Sequence, residues 1–215
     1  MTGIYLLLVQ LAFKASTPNI ALFLMCAVLP WSWFTAATND AMKSLQRNRG
    51  RLLAFQTNAA IFPLADVMAT AVRFLASLPV FLGLAIFYQI NLNQSLFWLL
   101  PLISLQLMLA LGCSWWLAAA QSLAEDTENF WRLATRVWFF LAPSIYSLEQ
   151  IPTAIGRWLW LNPFTVVFHG YRQIWIHGQM PELGSLWMAL VAATVFAVAG
   201  YRVIRRSQPY LALQL

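Results

Sequence analysis

The sequence predicts an all-α fold, a polytopic bundle of helices embedded in a lipid bilayer. Of the 215 residues, 61% are hydrophobic and only 9% are charged. Soluble domains carry about 25% charged residues. The mean hydropathy is +0.67, and long apolar runs recur along the chain. Because no soluble packing would bury this much apolar surface, the composition excludes an ordinary globular domain.

Transmembrane helices are expected where apolar runs approach the roughly 20 residues that cross a hydrocarbon core. Five runs do so: Ile20–Ala37, Phe62–Tyr88, Leu96–Ala120, Leu133–Tyr146 and Leu186–Ile204. An earlier run, Gly3–Phe13, has about half that length and lacks the basic region and cleavage site of a signal peptide. We expect it to be the end of a first helix whose beginning is missing. The sequence thus predicts one domain, residues 1–215, with six transmembrane helices, the first truncated.

The basic residues predict the orientation of these helices. If the loop after Ile20–Ala37 is cytoplasmic, alternation places nine Lys and Arg residues inside and three outside. The nine are Lys43, Arg47, Arg49, Arg51, Arg132, Arg136, Arg202, Arg205 and Arg206, and the three are Lys14, Arg157 and Arg172. Cytoplasmic loops are enriched in Lys and Arg, so both termini are predicted to be cytoplasmic. The net charge of +6 then reflects topology and does not indicate nucleic-acid binding.

The first cytoplasmic loop has the pattern of a short amphipathic helix. Lys43, Arg47 and Arg51 are four residues apart, so they would share one helical face. Asn48 and Arg49 belong to the same polar stretch. Such a helix either binds phospholipid headgroups or docks, as a coupling helix, onto a partner that supplies energy.

The second cytoplasmic loop is acidic. Glu125, Asp126 and Glu128 precede a predicted helix, where negative charge stabilises the positive end of the helix dipole. The same carboxylates are candidate contacts for a partner.

Two charges lie within the predicted span Phe62–Tyr88. Asp66 and Arg73 are seven residues apart and nearly on one helical face. Charges at membrane depth are costly and usually face protein or water. They therefore indicate either pairing between helices and interfacial anchoring or the wall of a polar conduit.

The segment from Tyr146 to Trp175 has too many charges and prolines to be one span, although apolar runs flank it. Pro143 is expected to end the preceding span, and Asn162–Pro163 to begin a new helix. We expect a helix, a break and a second helix that dip into the membrane without crossing it. Non-helical backbone at that depth must be buried or face a polar cavity.

Other side chains of chemical interest have simpler interpretations. Trp158, Trp160, Trp175 and Trp187 are expected to gather near the outer interface, as an aromatic belt or as flat faces for sugar rings. Cys26 and Cys113 are expected to be core residues, and His169 and His177 polar interface residues. We assign no catalytic residue and no metal site.

The order of several short motifs resembles a known family. The motifs are Leu29-Pro30-Trp31-Ser32-Trp33-Phe34, Phe62-Pro63-Leu64, Phe140-Leu141-Ala142-Pro143-Ser144-Ile145-Tyr146 and Leu161-Asn162-Pro163-Phe164, with a polar SLQRN stretch after the first and Arg172 after the last. Over nearly the whole chain this resembles the type-2 ABC exporter permeases, particularly those that export O-antigen, capsule and teichoic acid.

The resemblance implies a homodimeric permease in the bacterial inner (plasma) membrane, paired with separate ATPase subunits that use ATP and Mg. The sequence itself contains no GxxxxGK[ST] phosphate loop. In the resembled family, a channel lined mainly by the first and fifth spans exports a lipid-linked glycan. The coupling contacts would then fall at Lys43–Arg51 and Glu125–Glu128, and re-entrant helices over about Ser147–Arg172 would shape the outer mouth.

Two alternatives remain open on the sequence. The same fold serves exporters of drugs, antibiotics or lipids. A membrane-embedded enzyme acting on lipid-linked sugars would belong to a different class, and it would need acids, histidines or metal ligands clustered at one membrane depth. Here the acids are scattered and the two histidines lie apart from them.

Overall fold

The computed structural model describes residues 19–55, 57–91, 94–148 and 151–214. The described residues form helices and connecting turns, without a β-strand. The predicted partial span Gly3–Phe13 and Lys14 lie outside this part of the chain.

The α-helices of the described residues are numbered here in chain order. They are α1 (Ile20–Met42), α2 (Ser44–Arg47), α3 (Arg49–Phe55), α4 (Ile61–Leu75), α5 (Leu78–Phe87), α6 (Leu99–Leu123), α7 (Thr127–Leu141), α8 (Thr153–Leu159), α9 (Pro163–Trp175) and α10 (Leu183–Gln214), and a 3₁₀ helix (Gln94–Trp98) leads into α6.

Four helical segments of the described chain are long and apolar enough to cross a membrane: Ile20–Met42, Ile61–Phe87, Gln94–Leu123 and Leu183–Gln208. Each contains or closely matches a predicted span. Within the second of them the helix is interrupted between Leu75 and Leu78, where the Ser77 hydroxyl donates to the Phe74 carbonyl at 2.6 Å and Pro79 follows.

The predicted span Leu133–Tyr146 is not among these four segments, and the helix found in this region has other bounds. The observed helix, α7, begins earlier, at Thr127, and ends at Leu141 after 15 residues. Ala142 is extended (φ −87°, ψ 151°) because a residue that precedes proline is disfavoured in the α region. Pro143 and Tyr146 therefore lie in the turn that follows the helix, whereas Glu128 lies in its first turn.

The long helices alternate in direction and define two ends of the bundle. At the basic end, α1 and α6 finish and α4 and α7 begin. At the hairpin end lie the α7–α8 turn, α8, α9 and the start of α10. The end of α10 also lies at the basic end. There the Gln208 side chain donates a hydrogen bond to the carbonyl of Thr57, in the segment just before α4, at 3.1 Å.

An aromatic cluster joins α1, α7 and α9. Phe164 of α9 packs edge-on against Trp31 and Phe34 of α1, with ring centroids 4.8 and 4.6 Å apart, and against Trp138 of α7 at 5.4 Å. Aromatic pairs of this kind contribute about 0.5–1.5 kcal/mol each beyond their buried area. The cluster fixes the short α9 against α1.

A second contact, between α6 and α10, depends on glycine. A Cβ atom added at Gly200 of α10 would lie 2.8 Å from the carbonyl oxygen of Gly112 in α6. Small residues allow such backbone approach between membrane helices, where the hydrophobic effect does not hold helices together. The two backbones therefore approach closely at Gly200.

We predict that Gly200→Ala destabilises the protein by about 1–3 kcal/mol, the usual cost of overpacking, because the new methyl group meets a backbone atom that cannot rotate away. Thermal unfolding of the purified protein in detergent measures the effect. Gly83→Ala is the matched control, since a Cβ there meets no atom within 4 Å and alanine favours the helix. Equal midpoints for the two variants would contradict this contact.

Candidate functional site

An ion-pair cluster joins the two cytoplasmic loops predicted from the sequence. Lys43, between α1 and α2, pairs with Glu128 of α7 at 2.8 Å. Arg132, one turn further along α7, pairs with the same carboxylate at 2.6 Å. Trp131 adds a hydrogen bond, its indole N–H donating to the Thr38 hydroxyl of α1 at 3.0 Å. The start of α7 is thus attached to the end of α1 by two polar contacts.

The charge of Glu128 depends on these contacts. The hydrogen bond from Lys43, and secondarily the one from Arg132, lower the pKa of the Glu128 carboxyl below its ordinary value. A carboxyl group with a lowered pKa stays ionised at neutral pH. The contact with Lys43 is therefore complete at pH 7 and is lost in acid, as the pH falls through the lowered pKa.

Asp66 and Arg73 are both engaged in ion pairs between helices. The Arg47 guanidinium bonds to Asp66 at 2.5 Å and also donates to the Asp40 carbonyl at 3.2 Å. Arg73 pairs with the Asp40 carboxylate at 3.2 Å. These contacts agree with the pairing interpretation of the two charges. Arg73 also lines a cavity of about 160 Å³ between α1 and α4, which is small for a conduit.

The predicted single amphipathic helix over Lys43–Arg51 is not continuous. It is divided into α2 and α3 at Asn48, whose φ of −110° and ψ of 18° depart from helical values and whose side-chain amide donates to the Ser44 carbonyl at 2.8 Å. This local hydrogen bond competes with the helix. The three basic residues therefore do not form one stripe. Arg47 pairs with α4, and Arg51 donates to the Asn48 side chain at 3.2 Å.

Other candidate coupling residues are exposed. Arg49 lies on the surface of α3, and Glu125 and Asp126 lie in the turn before α7. The Gln121 side chain supports this turn by donating to the Glu125 carbonyl at 3.2 Å. Within the described part of the chain none of these three side chains forms an ion pair, so their charges are open to solvent or to a partner.

At the hairpin end, Asn162 organises the start of α9 as the sequence predicts. Its side-chain oxygen accepts the backbone N–H of Phe164 at 3.1 Å, and Pro163 occupies the first helical turn. The same oxygen accepts the indole N–H of Trp138 at 3.1 Å. Asparagine is a preferred N-cap residue, and here its side chain also connects α9 to α7.

Arg172 is buried, with 6% of its surface exposed. Its guanidinium donates to the Ser144 carbonyl at 2.7 Å and to the Tyr146 carbonyl at 3.3 Å, and it lies 3.6 Å from the centre of the Phe23 ring. Among the described residues no carboxylate pairs with it, and its Nε has no hydrogen-bond partner. Backbone carbonyls and an aromatic face thus compensate the buried charge.

The tryptophans of the hairpin end do not gather as the sequence suggested. Trp158 is 73% exposed, whereas Trp175 is 1% exposed and stacks on Phe81 of α5 in the core. Trp160 packs edge-on against His169 at 5.3 Å. The expectation of one outer set was wrong for Trp175, because the apolar face of α9 turns it into the bundle.

A groove of about 490 Å³ runs between α1 and α7. Its lining is mostly apolar, and its polar groups are the Ser32 and Thr35 hydroxyls and the Arg136 guanidinium; the apolar residues are Ala21, Leu24, Met25, Val28, Trp31, Phe139 and Phe140. The outward face of α7 beside it is largely apolar and exposed: Leu133, Val137, Phe140 and Leu141. From the sequence, Arg136 indicated only the orientation of the helix. Arg132 and Arg136 are four residues apart, and this spacing predicts that both side chains lie on one exposed face of α7.

The amino-acid sequence of this chain is similar to those of known membrane proteins. The family model described as "ABC-2 type transporter" matches residues 1–176. An O-antigen export system permease protein RfbA from Klebsiella pneumoniae is 24% identical over 176 residues, 81% of this chain and 68% of that protein. A protein of the same name from Myxococcus xanthus is 28% identical over 198 residues, 89% of this chain and 74% of that protein.

The family model covers far more than half of the sequence, and the four apolar helices agree with it. The chain therefore belongs to the ABC-2 type transporter family and is a membrane permease.

Proposed function

We propose that this permease is the transmembrane subunit of an ATP-driven exporter that moves a lipid-linked polysaccharide across the bacterial inner membrane. The observation that carries the proposal is the similarity to O-antigen export permeases over more than four fifths of the chain. The α1–α7 groove supports it, because aromatic faces with hydroxyl and guanidinium groups are suited to sugar rings and to the phosphate of a carrier lipid.

The proposed topology has six spans, with α7 as a short fifth span and α8–α9 as a re-entrant pair on the outer side. The basic end is then cytoplasmic, as are both termini. The hydrogen bonds of Asn162 and Arg172 support the re-entrant pair, because they satisfy polar groups where the chain is not a continuous helix.

The proposed assembly contains two copies of the chain, each a single permease domain, and separate ATPase subunits that bind ATP and Mg. The exposed apolar face of α7 supports pairing of two copies, because it offers side chains that a second helix can pack against within the membrane. The exposed charges at Arg49, Glu125 and Asp126 are proposed to contact the ATPase.

Coupling is proposed to run through the contacts between the loops. Movement of α2 and α3 by the ATPase would displace Lys43, and Lys43 holds Glu128 at the start of α7. The Trp131–Thr38 hydrogen bond transmits the same movement to α1. The two helices that line the groove would thereby move together at the basic end.

Deletion of the gene in its native host tests the cargo. We expect the lipid-linked glycan to accumulate inside the cell and to disappear from the surface, with recovery on complementation, because this permease provides the exit route. Surface glycan is measured by antibody staining or gel analysis of extracted glycolipid. Normal surface glycan together with increased sensitivity to a drug would instead support the alternative of a drug exporter.

Charge reversal tests the coupling contact. We expect Lys43→Glu to lower surface glycan severalfold while ATP hydrolysis by the purified complex continues, because Glu128 would then face a like charge. The double variant Lys43→Glu/Glu128→Lys restores opposite charges at the loop contact but sets the new lysine one turn from Arg132, so it should recover part of the export. Arg202→Glu is the matched control, since Arg202 is exposed on α10. Loss of export in the double variant equal to that in Lys43→Glu would contradict a role for the pair.

A further inference from the structure

A second, larger groove lies on the side of the bundle formed by α6, α9 and α10. Its volume is about 720 Å³. The side chains that line it are mostly apolar, and along α10 several are small: Gly184, Ser185, Ala189, Ala192 and Ala193. The small residues create the concavity, because larger side chains at these positions would fill it.

The groove has the length of one leaflet of a bilayer. It extends along α10 from Gly184 to Phe196, which is about 18 Å at the rise of an α-helix. One half of a hydrocarbon core is about 15 Å thick. Its apolar wall is open to the outside of the bundle, since Leu161 and Met188 at its edge are 75% and 72% exposed. An extended hydrocarbon chain lying parallel to α10 therefore fits it.

A carboxylate lies at the mouth of the groove, at the hairpin end. Glu182 immediately precedes α10, and one of its oxygens accepts the Ser185 hydroxyl at 3.3 Å. Its other carboxylate oxygen has no partner among the residues that the structure describes. This carboxylate at the mouth of the groove can therefore contact a cationic group.

We infer that this groove binds one acyl chain of a phospholipid whose headgroup carries an amine, such as phosphatidylethanolamine, with the ammonium group paired to Glu182. The charge disfavours two other occupants of similar hydrocarbon chemistry. An anionic phospholipid and a diphosphate-linked carrier lipid would both place negative charge beside Glu182. The site is separate from the α1–α7 groove, and the inference does not depend on the cargo proposed above.

Photocrosslinking tests the site with the full-length permease, bound to its ATPase, in nanodiscs. The probes are phosphatidylethanolamine and phosphatidylglycerol, each with a diazirine in one acyl chain, and mass spectrometry maps the labelled residues. We expect phosphatidylethanolamine to label residues 184–196 about two- to fivefold more than phosphatidylglycerol, the range that an exposed ion pair gives. Glu182→Gln should remove this preference and leave labelling by both probes.

A matched pair of variants tests the groove itself. Ala192→Trp fills the groove and should reduce labelling of residues 184–196 severalfold, whereas Val191→Trp adds the same side chain one position away and should not. Val191 is 63% exposed and does not line the groove. Equal labelling by the two probes in the unmodified protein, or equal labelling of the two tryptophan variants, would overturn the inference. So would a disulfide between two copies carrying Ala192→Cys, because a second copy would then cover the groove.

Discussion

The buried guanidinium of Arg172 is the interaction on which the hairpin end depends. A charge removed from water is costly unless polar groups surround it, and here the carbonyls of Ser144 and Tyr146 and the ring of Phe23 supply that surrounding. The three groups come from the α7–α8 turn and from α1, while Arg172 itself belongs to α9. One side chain therefore fixes the end of α7, the hairpin and α1 relative to one another.

The two ends of the bundle are connected through α1 and α7. At the basic end Glu128 and Trp131 attach α7 to α1. Further along, Trp138 packs against Phe34 of α1 at 5.7 Å and donates to Asn162 of the hairpin. A movement imposed on the loops at the basic end would thus be carried by packed aromatic rings to the hairpin end. Packed cores of this kind transmit strain because they contain few voids.

Four of the predicted spans match long apolar helices of the described residues, whereas the sequence did not predict the polar contacts between helices. Length and hydropathy decide the long helices, and local chemistry decides the start of α9 at Asn162–Pro163. The boundaries of α7 were missed because Thr127–Arg132 is polar, and polarity alone does not separate a loop from an exposed helical turn. The pairs Lys43–Glu128 and Arg47–Asp66 join residues distant in sequence, so periodicity contains no information about them. The same is true of the carbonyl partners of Arg172, which have no side-chain signature.

Labelling of a cysteine at position 144 tests most directly whether Arg172 holds a hairpin on the outer side. Ser144 is 1% exposed, and both native cysteines are buried, so the background is low. In intact cells, a membrane-impermeant maleimide should spare Ser144→Cys in the otherwise native protein and label it when Arg172→Met is added. Trp158→Cys, at a position 73% exposed, should react in both. Equal protection of Ser144→Cys with and without Arg172, or reaction of Trp158→Cys only after permeabilisation, would contradict the account.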